Sequence, residues 1–268
     1  MSSLDILPVW ADAVDAAPPA AFIFHVSRCG STLLAQLLGL NEAHIVLAET
    51  PFLDELLRLP FQNKNVDGAL LSRVFPAALQ LYGQKRKGIE KHLFIKADSW
   101  HLCFYQQLRA LYPTVPFILL YRKPGEVIHS QRRQRGMQSV QHVVEPEIFG
   151  FDRQVIDQYS LDEYMALVLE RYFTIMLAIS SVDAHSLLVN YNEPILDTMQ
   201  KIAGMTGIIL GEKELQQMEE RSRFHAKYPN QVFQEPLDQE PMPDNLLPVM
   251  DLYDQVEARR KSSRLVFQ

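Results

Sequence analysis

Short apolar runs alternate along this chain with longer segments whose apolar residues recur at helical spacing. Each short run is continuous rather than alternating, which is typical of a strand buried on both faces of a sheet. The runs predict strands at Ala21–Val26, His44–Ala48, His92–Ala97, Pro116–Tyr121 and Ser186–Tyr191. The segments between and after them predict helices, among them Leu33–Leu40, Val66–Tyr82, Trp100–Tyr112, Leu161–Ser181 and Pro194–Met205.

This alternation predicts an α/β fold: a three-layer αβα arrangement in which helices cover both faces of a central parallel sheet of about five strands. The predicted α/β core extends over residues 21–210. Beyond about Gly211 the chain becomes polar and rich in proline, so we expect residues 211–268 to wrap around the core or to form a lid. The pattern contains no clear linker, and we therefore expect a single domain over residues 1–268.

The composition is that of an ordinary globular protein, since 47% of the 268 residues are hydrophobic and 22% are charged. Lysine and arginine number 26 against 32 acidic residues, and the net charge of -6 gives no overall attraction to nucleic acid or to an anionic membrane. We therefore expect neither as a partner. Two cysteines cannot build a disulfide framework, which favours a reducing, cytoplasmic location. No apolar run reaches the roughly 18 residues of a membrane span, so we expect a soluble protein.

The loop Ser27–Thr32 follows the first predicted strand and opens the first predicted helix. In a parallel sheet such a loop presents backbone N–H groups and the positive end of a helix dipole to an anion. It resembles the phosphate-binding pattern G-x-x-x-x-G-K-[ST], but His25 replaces the first glycine and Ser31 replaces the lysine. The missing lysine makes ATP hydrolysis a poorer interpretation, whereas Gly30 and the earlier cation Arg28 still suit an anion. The alternative interpretation is a strand-to-helix turn with ordinary capping.

A second candidate site begins at Arg122, directly after the fourth predicted strand. Eight residues later Ser130 lies in a helix opened by Pro124, so a guanidinium and a hydroxyl could together hold a second phosphate. Residues 122–135 contain five lysines or arginines against the single acid Glu126. A solvated basic helix face is the alternative. It accounts poorly for Arg122, which follows an apolar run directly, and well for Arg132, Arg133 and Arg135.

These two segments resemble the sulfotransferases that use 3'-phosphoadenosine 5'-phosphosulfate (PAPS). The family's 5'-phosphosulfate loop, P-[KR]-[ST]-G-[ST]-T, is similar to residues 27–32, with Ser27 for the usual proline and Cys29 for the usual hydroxyl residue. Its 3'-phosphate motif, R-x-P-x-x-x-x-x-S, is similar to residues 122–130. Its lysine at the end of the third strand is similar to Lys96, and a later V-x-Y-E-x-L segment is loosely similar to residues 187–196. The resemblance extends over residues 22–207.

The resemblance implies a fold like that of the P-loop NTPases, PAPS as the donor cofactor, adenosine 3',5'-bisphosphate (PAP) as the product, and no metal. It also implies which residues bind the nucleotide. These are Arg28, Cys29, Gly30, Ser31, Thr32, Arg122 and Ser130.

Sulfuryl transfer is an in-line displacement, so its catalysis consists mostly of positioning, charge stabilisation and removal of one proton. We expect Arg28 and Lys96 to neutralise the sulfuryl oxygens and the leaving phosphate. Three residues at strand ends are candidates for the general base: Glu49, Asp98 and His101. Glu49 is preferred because several family members use a glutamate after the second strand, whereas the cytosolic branch has its base where this chain has Asp98. A first-turn acid that stabilises its helix dipole is the alternative interpretation of Glu49.

Other residues of types that can carry chemistry are the histidines, Cys29 and three basic residues near the C-terminus. The histidines show no pairing at i,i+4, so we expect no metal site. Cys29 fails as a phosphatase nucleophile, because Ala35 stands where the pattern C-x5-R needs its arginine. Near the C-terminus Arg221, Arg223 and Lys227 could close over the nucleotide, although a solvated surface accounts for them slightly better.

Two other function classes fit parts of the pattern. A divergent small-molecule kinase would use Asp98 as its magnesium ligand, and the missing loop lysine weighs against it. A non-catalytic nucleotide-binding protein would keep the PAP site and lack a base. Within the sulfotransferase interpretation the acceptor is a hydroxyl or an amine of a small-molecule or glycan-like compound, which no pattern identifies further, and the oligomeric state stays open.

Overall fold

The computed structural model describes residues 4–66, 68–224 and 241–263. Its strands are β1 (Pro19–His25), β2 (His44–Ala48), β3 (His92–Lys96), β4 (Phe117–Tyr121) and β5 (Ser186–Asn190). Its helices are α1 (Leu7–Ala11), α2 (Ser31–Leu38), α3 (Pro51–Gln62), α4 (Gly68–Tyr82), α5 (Tyr105–Leu111), α6 (Pro124–Arg133), α7 (Pro146–Phe149), α8 (Arg153–Ile156), α9 (Leu161–Val182), α10 (Ile195–Thr206), α11 (Glu212–Ser222) and α12 (Leu246–Ser263). Short 3-10 turns cover Leu4–Ile6, Ser99–Phe104 and Met137–Ser139.

The five strands form one parallel sheet in the order β2-β3-β1-β4-β5. This confirms the predicted parallel sheet, with strand ends within about two residues of those expected. The central strand β1 pairs on one side with β3, where Ile23 lies opposite Lys96, and on the other with β4, where His25 lies opposite Leu120. The carboxyl ends of these three strands therefore meet at one edge of the sheet, and the residues that follow them lie close together.

Helices flank the sheet in two groups. One group contains α2, α10 and α11, in which α11 contacts the other two, α2 contacts β2 and β3, and α10 contacts β5. The other group contains α6, α9 and α12, which contact one another, and α9 and α12 also contact β5. Every residue of β4 is buried, as are the last five residues of β1. Burial on both faces explains why these strands are continuous apolar runs in the sequence. The predicted three-layer α/β architecture is confirmed.

One predicted helix differs from expectation. The segment Trp100–Tyr112 was expected to be a single helix, but it divides into the 3-10 turn Ser99–Phe104 and the α-helix α5. Two side chains of the turn, Trp100 and His101, both donate to Asp54 on α3, at 2.6 and 2.9 Å. Consecutive residues of an α-helix point about 100° apart, so holding both on one carboxylate favours the tighter turn.

The C-terminal helix α12 packs against α9, α6 and β5. Its Glu257 accepts hydrogen bonds from the hydroxyl of Tyr121, at the end of β4, and from Asn190, at the end of β5. Arg260 completes the cluster by donating to Glu257 at 2.8 Å. This part of the predicted wrapping segment therefore anchors the ends of two strands that lead into the cavity described below. Residues 225–240, within the same predicted segment, lie outside the described residues.

The longest described helix, α9, is long and apolar enough to cross a membrane when judged by length and composition alone. It begins with a capping box, in which Ser160 and Glu163 exchange hydrogen bonds with each other's backbone. Tyr164, Phe173 and Met176 are among its fully buried side chains, and it contacts α12, α6 and β5. These contacts are those of a core helix in a globular fold.

Candidate functional site

A cavity of about 770 Å³ opens at the carboxyl edge of the sheet. Its walls include residues 27–34, which form the loop after β1 and the start of α2, and residues 98–100 after β3. They also include residues 133–138, at the end of α6 and just beyond it, and residues of the segment 189–198 at the end of β5. Loops that leave parallel strands at this edge form the ligand sites of open α/β sheets. The predicted site residues that line it are Arg28, Cys29, Gly30, Ser31, Thr32, Glu49, Arg122 and Ser130.

The loop after β1 has an unusual backbone conformation. Ser27 and Arg28 both have positive φ, at 66° and 50°, and Gly30 has φ at 79°. A non-glycine residue in this left-handed region costs on the order of 1–3 kcal/mol, and such strain is concentrated at functional sites. Helix α2 begins at Ser31, directly after the turn, so its first backbone N–H groups lie at the cavity. The loop is therefore arranged as a cradle for an anion.

Two buried side chains hold Ser27 in this conformation. The ring of His25 accepts a hydrogen bond from the Ser27 N–H at 3.1 Å, and its other nitrogen donates to the Ala97 carbonyl at 3.0 Å. Burial lowers the pKa of His25, which favours the neutral ring that this pattern needs. Gln131 on α6 donates to the Ser27 hydroxyl at 3.1 Å and accepts from the Gly136 N–H at 2.7 Å. No sequence pattern identifies Gln131, because 104 residues separate it from Ser27.

Arg122 lies against the same loop. It is 5% exposed, and it donates to the Arg28 carbonyl at 3.2 Å. Its guanidinium is 4.3 Å from the centre of the Tyr191 ring. A Cβ atom on Gly30 would lie 2.8 Å from that ring, so the loop approaches Tyr191 as closely as only glycine allows. Ser130, on α6, lines the cavity together with Arg122, and the predicted pair therefore lies beside the predicted loop.

Lys96 and Glu49 form an ion pair at the ends of β3 and β2. Glu49 has φ at 50°, and its N–H donates to the Lys96 carbonyl at 2.8 Å. A hydrogen bond from His25, followed by the charge of Lys96, lowers the pKa of Glu49 to about 2. The carboxylate thus contacts two strands instead of the N-terminus of α3. Lys96 is 3% exposed and does not line the cavity, because its ammonium group is directed at Glu49.

The other two candidate bases lie in different environments. Asp98 lines the cavity, and burial raises its pKa to about 6. His101 is buried outside the cavity lining, and its Nε2 donates to Asp54 at 2.9 Å. The nearer carboxylate oxygen of Asp98 is 3.7 Å from that nitrogen. Of the two, Asp98 is therefore the one in a position to meet a ligand.

Among the described residues, one group of side chains could offer three metal ligands within 4.8 Å of one another: Asp54, Asp98 and His101. Asp54 accepts from Trp100 and His101 through one oxygen and from Arg58 through the other, at 2.6, 2.9 and 3.1 Å. Because His101 Nε2 donates to Asp54, it has no lone pair to offer a cation. These contacts are those of a hydrogen-bond network that supports the turn after Asp98.

The thiol of Cys29 is buried and donates to the Leu120 carbonyl at 3.5 Å. Burial raises its pKa to about 12, so the thiolate needed for nucleophilic attack is disfavoured. Cys29 can still contribute its backbone to the cavity wall, as do Gly30 and Ser31.

Arg221 and Arg223 make contacts outside the cavity. Arg221 donates to a glutamine of α2, and Arg223 pairs with an acid one turn earlier on α11. Neither lines the cavity, whereas Ser222 and Phe224, which no pattern singled out, do so. Lys227 lies outside the described residues.

No protein-family profile and no curated protein sequence matches this chain. Its structure is similar to the sulfotransferase domain from the curacin biosynthetic pathway, with a TM-score of 0.57 and 18% identity over 91% of this chain and 99% of that domain. A sulfotransferase from Alicyclobacillus acidocaldarius matches at a TM-score of 0.48 and 13% identity over 92% and 95% of the two chains. A mouse sulfotransferase complexed with PAP matches at 0.47 and 12% over 93% and 79%. By the first likeness the chain has a sulfotransferase-like fold, a parallel α/β fold of the P-loop NTPase type.

Proposed function

We propose that this chain is a PAPS-dependent sulfotransferase. The observation that carries the proposal is that one cavity contains the strained loop after β1 together with Arg122 and Ser130. Two sets of anion-binding groups in one cavity suit a nucleotide that is anionic at two positions. Ser31 stands where a P-loop ATPase has its lysine, so a donor other than ATP suits the loop better.

Each group has a role in this proposal. The backbone N–H groups of Gly30–Thr32 and the guanidinium of Arg28 hold the 5'-phosphosulfate, while Arg122 and Ser130 hold the 3'-phosphate. The acceptor's oxygen or nitrogen forms a bond to sulfur as the bond from sulfur to the bridging phosphate oxygen breaks. PAP leaves with that electron pair, and a carboxylate takes the acceptor's proton. Lys96 neutralises the sulfuryl oxygens once it turns from its ion pair towards the donor.

The two candidate bases that line the cavity, Glu49 and Asp98, differ in proton affinity. Glu49, the base preferred from the sequence, has its pKa held at about 2 by the hydrogen bond from His25 and by Lys96. Asp98 has its pKa raised to about 6 by burial, closer to the pH at which a general base works best. We therefore assign proton removal to Asp98 and the orientation of Lys96 to Glu49. Glu49 is the competing base, and the two assignments predict different pH profiles.

Thermal unfolding with added nucleotides tests the proposal. PAP or PAPS at about 100 times its dissociation constant should stabilise the protein by about 2.7 kcal/mol, which raises Tm by about 5 °C. Stabilisation by Mg-ATP without stabilisation by PAP would contradict the proposal and favour the kinase. Stabilisation by PAP with no transfer from PAPS to any compound in a panel of phenols, sugars and amines would favour the non-catalytic binding protein.

Removal of Gln131 tests how the loop is held. We expect Gln131→Leu to weaken PAP binding by about fivefold, because Ser27 loses the bond that supports its left-handed conformation and such a bond contributes about 1 kcal/mol. Calorimetric titration of Gln131→Leu, Ser27→Ala and the double variant measures the coupling between the two side chains. Losses that simply add would show that Gln131 does not act through Ser27.

The acceptor in this proposal is a small-molecule or glycan-like compound with a hydroxyl or an amine. The compartment proposed is the cytoplasm, because Cys29 and Cys103 are both free thiols. A protein that required an oxidising compartment would be expected to pair its cysteines.

A further inference from the structure

The basic end of α6 divides into two parts with different environments. Arg132 and Arg135 both pair with Asp162 at the start of α9, Arg132 at 2.6 Å. Arg132 also donates to the Pro241 carbonyl at 2.6 Å. Arg135 also lines the cavity, but the charges of both arginines are used in these contacts to α9, as a structural role requires.

Arg133 has a different environment. It is exposed and lines the cavity, and no carboxylate among residues 4–66, 68–224 and 241–263 forms an ion pair with it. It lies three residues after Ser130, and residues at this spacing share one side of a helix. Ser130, Arg133 and Gln134 all line the cavity, so this side of α6 forms part of its wall.

A second guanidinium approaches Arg133 from the loop after β1. Arg28 donates to the carbonyl of Gln134, the residue next to Arg133. Burial and then the nearby positive charge of Arg133 lower the pKa of Arg28. Two like charges from different walls of one cavity repel each other, and an anion bound between them would offset this repulsion.

Among the described residues, no acid of the cavity forms an ion pair with Arg28 or Arg133, and the charge of Glu49 only partly offsets the lowered pKa of Arg28. Glu49 pairs with Lys96, and Glu193 pairs with Lys201 and with Arg260, the latter at 3.2 Å. Asp98, with its pKa raised to about 6, is the remaining acid and lies near Lys96 and Glu49. The pair Arg28 and Arg133 is thus complementary to an anionic group that the protein itself does not provide.

We propose that Arg28 and Arg133 form a two-guanidinium clamp on the anionic group at the 5' position of the bound nucleotide. The proposal rests on the proposed function and adds a donor-binding residue that neither sulfotransferase motif contains. Arg122 and Ser130 then serve the 3'-phosphate, and Arg133, one turn beyond Ser130, serves the 5' group. The competing explanation is that Arg133 only offsets the negative end of the α6 dipole, as cations in the last turn of a helix do.

Calorimetric titration of Arg133→Gln with PAP and with adenosine 5'-phosphosulfate separates these explanations. The clamp predicts that both nucleotides bind about tenfold more weakly, which corresponds to about 1.4 kcal/mol. Arg133→Lys should lose less, because it keeps the charge without the planar fork. The matched control Arg132→Gln removes the same charge from the same helix, and we expect it to change either affinity by less than about twofold.

Three results would overturn the clamp. Wild-type affinities in Arg133→Gln, accompanied only by a lower Tm without nucleotide, would assign Arg133 to the helix dipole. Weaker binding of PAP with unchanged binding of adenosine 5'-phosphosulfate would move Arg133 to the 3'-phosphate. If the wild-type protein binds neither nucleotide, the proposed function fails, and the clamp fails with it. Failure of the clamp alone is recognised by wild-type binding that Arg133→Gln leaves unchanged.

Discussion

Arg122→Gln is expected to weaken the binding of PAP by about 100-fold while weakening that of adenosine 5'-phosphosulfate by less than about tenfold. A buried guanidinium that donates to a phosphate makes charge-assisted hydrogen bonds of about 1.5–3 kcal/mol, and the uncharged glutamine cannot replace them. Arg122 is 5% exposed and lies at the cavity beside Ser130. Calorimetric titration of the variant with both nucleotides measures the difference.

A smaller loss for the 5'-phosphosulfate follows from the other contacts of Arg122. Its guanidinium donates to the Arg28 carbonyl and stacks on Tyr191, so its removal also disturbs the loop. Glu126→Gln provides the matched control, because it removes the acid that Arg122 Nε contacts at 2.8 Å and keeps the guanidinium. PAP should bind this control at least as tightly as the wild type. Equal losses for the two nucleotides in Arg122→Gln would show that Arg122 does not hold the 3'-phosphate.

The strands and their parallel arrangement could be predicted because a strand buried on both faces is a continuous apolar run in the sequence. Each central strand must be apolar at every position, and a parallel sheet requires a helical crossover between strands. The run 117–121 shows this most clearly, since all five residues are buried. No local sequence pattern indicates the break within the predicted helix Trp100–Tyr112. It depends on bonds from Trp100 and His101 to Asp54, at least 46 residues earlier in the chain.

The candidate site was predictable where a motif is local and was missed where the contact is distant. Residues 27–32 and the pair Arg122 and Ser130 could be found because a strand end and a helix start fix their spacing. Gln131 could not be found, and Tyr191 was found only as part of a loosely similar segment with no assigned contact, since the roles of both depend on how α6 and the end of β5 meet the loop. Composition and spacing also gave no sign that Lys96 would be directed at Glu49, because that contact requires the order β2-β3-β1 of the sheet.

The positive φ angles of the site are a further feature that the residue types do not predict. Among the described residues, the non-glycine residues with positive φ are Ser27, Arg28, Glu49 and His142. The first three of these are in the candidate site, and serine, arginine and glutamate are not residue types that readily adopt this region. Their strain is maintained by contacts from β1, β3 and α6, so only the folded structure reveals it.

Asp98→Asn is expected to raise the stability of the fold and to lower the rate of sulfuryl transfer, because burial raises the pKa of Asp98 to about 6. As a group with a raised pKa, Asp98 stabilises the fold below its unfolded pKa, and that stability is lost as the pH rises through about 6. Asparagine imitates the protonated form at every pH. The variant should therefore have a higher Tm than the wild type at pH 8 and nearly the same Tm at pH 4. A wild-type level of stability at pH 8 would contradict the raised pKa.

The same substitution should reduce sulfuryl transfer by about 10²–10⁴-fold if Asp98 is the general base. Only the ionised carboxylate can accept the acceptor's proton, so the wild-type rate should rise with pH up to about 6 and level off above it. Initial rates of PAP formation from PAPS, measured from pH 4.5 to 8.5 with the best acceptor of a panel, test this. Glu49 has its pKa held at about 2 by His25 and Lys96, so as the base it would give a flat profile across that range. If the flat profile persists in Asp98→Asn and the activity is lost in Glu49→Gln, the proton transfer belongs to Glu49. If Asp98→Asn is instead more stable but inactive, this buried acid lowers the stability of the fold in order to provide a base.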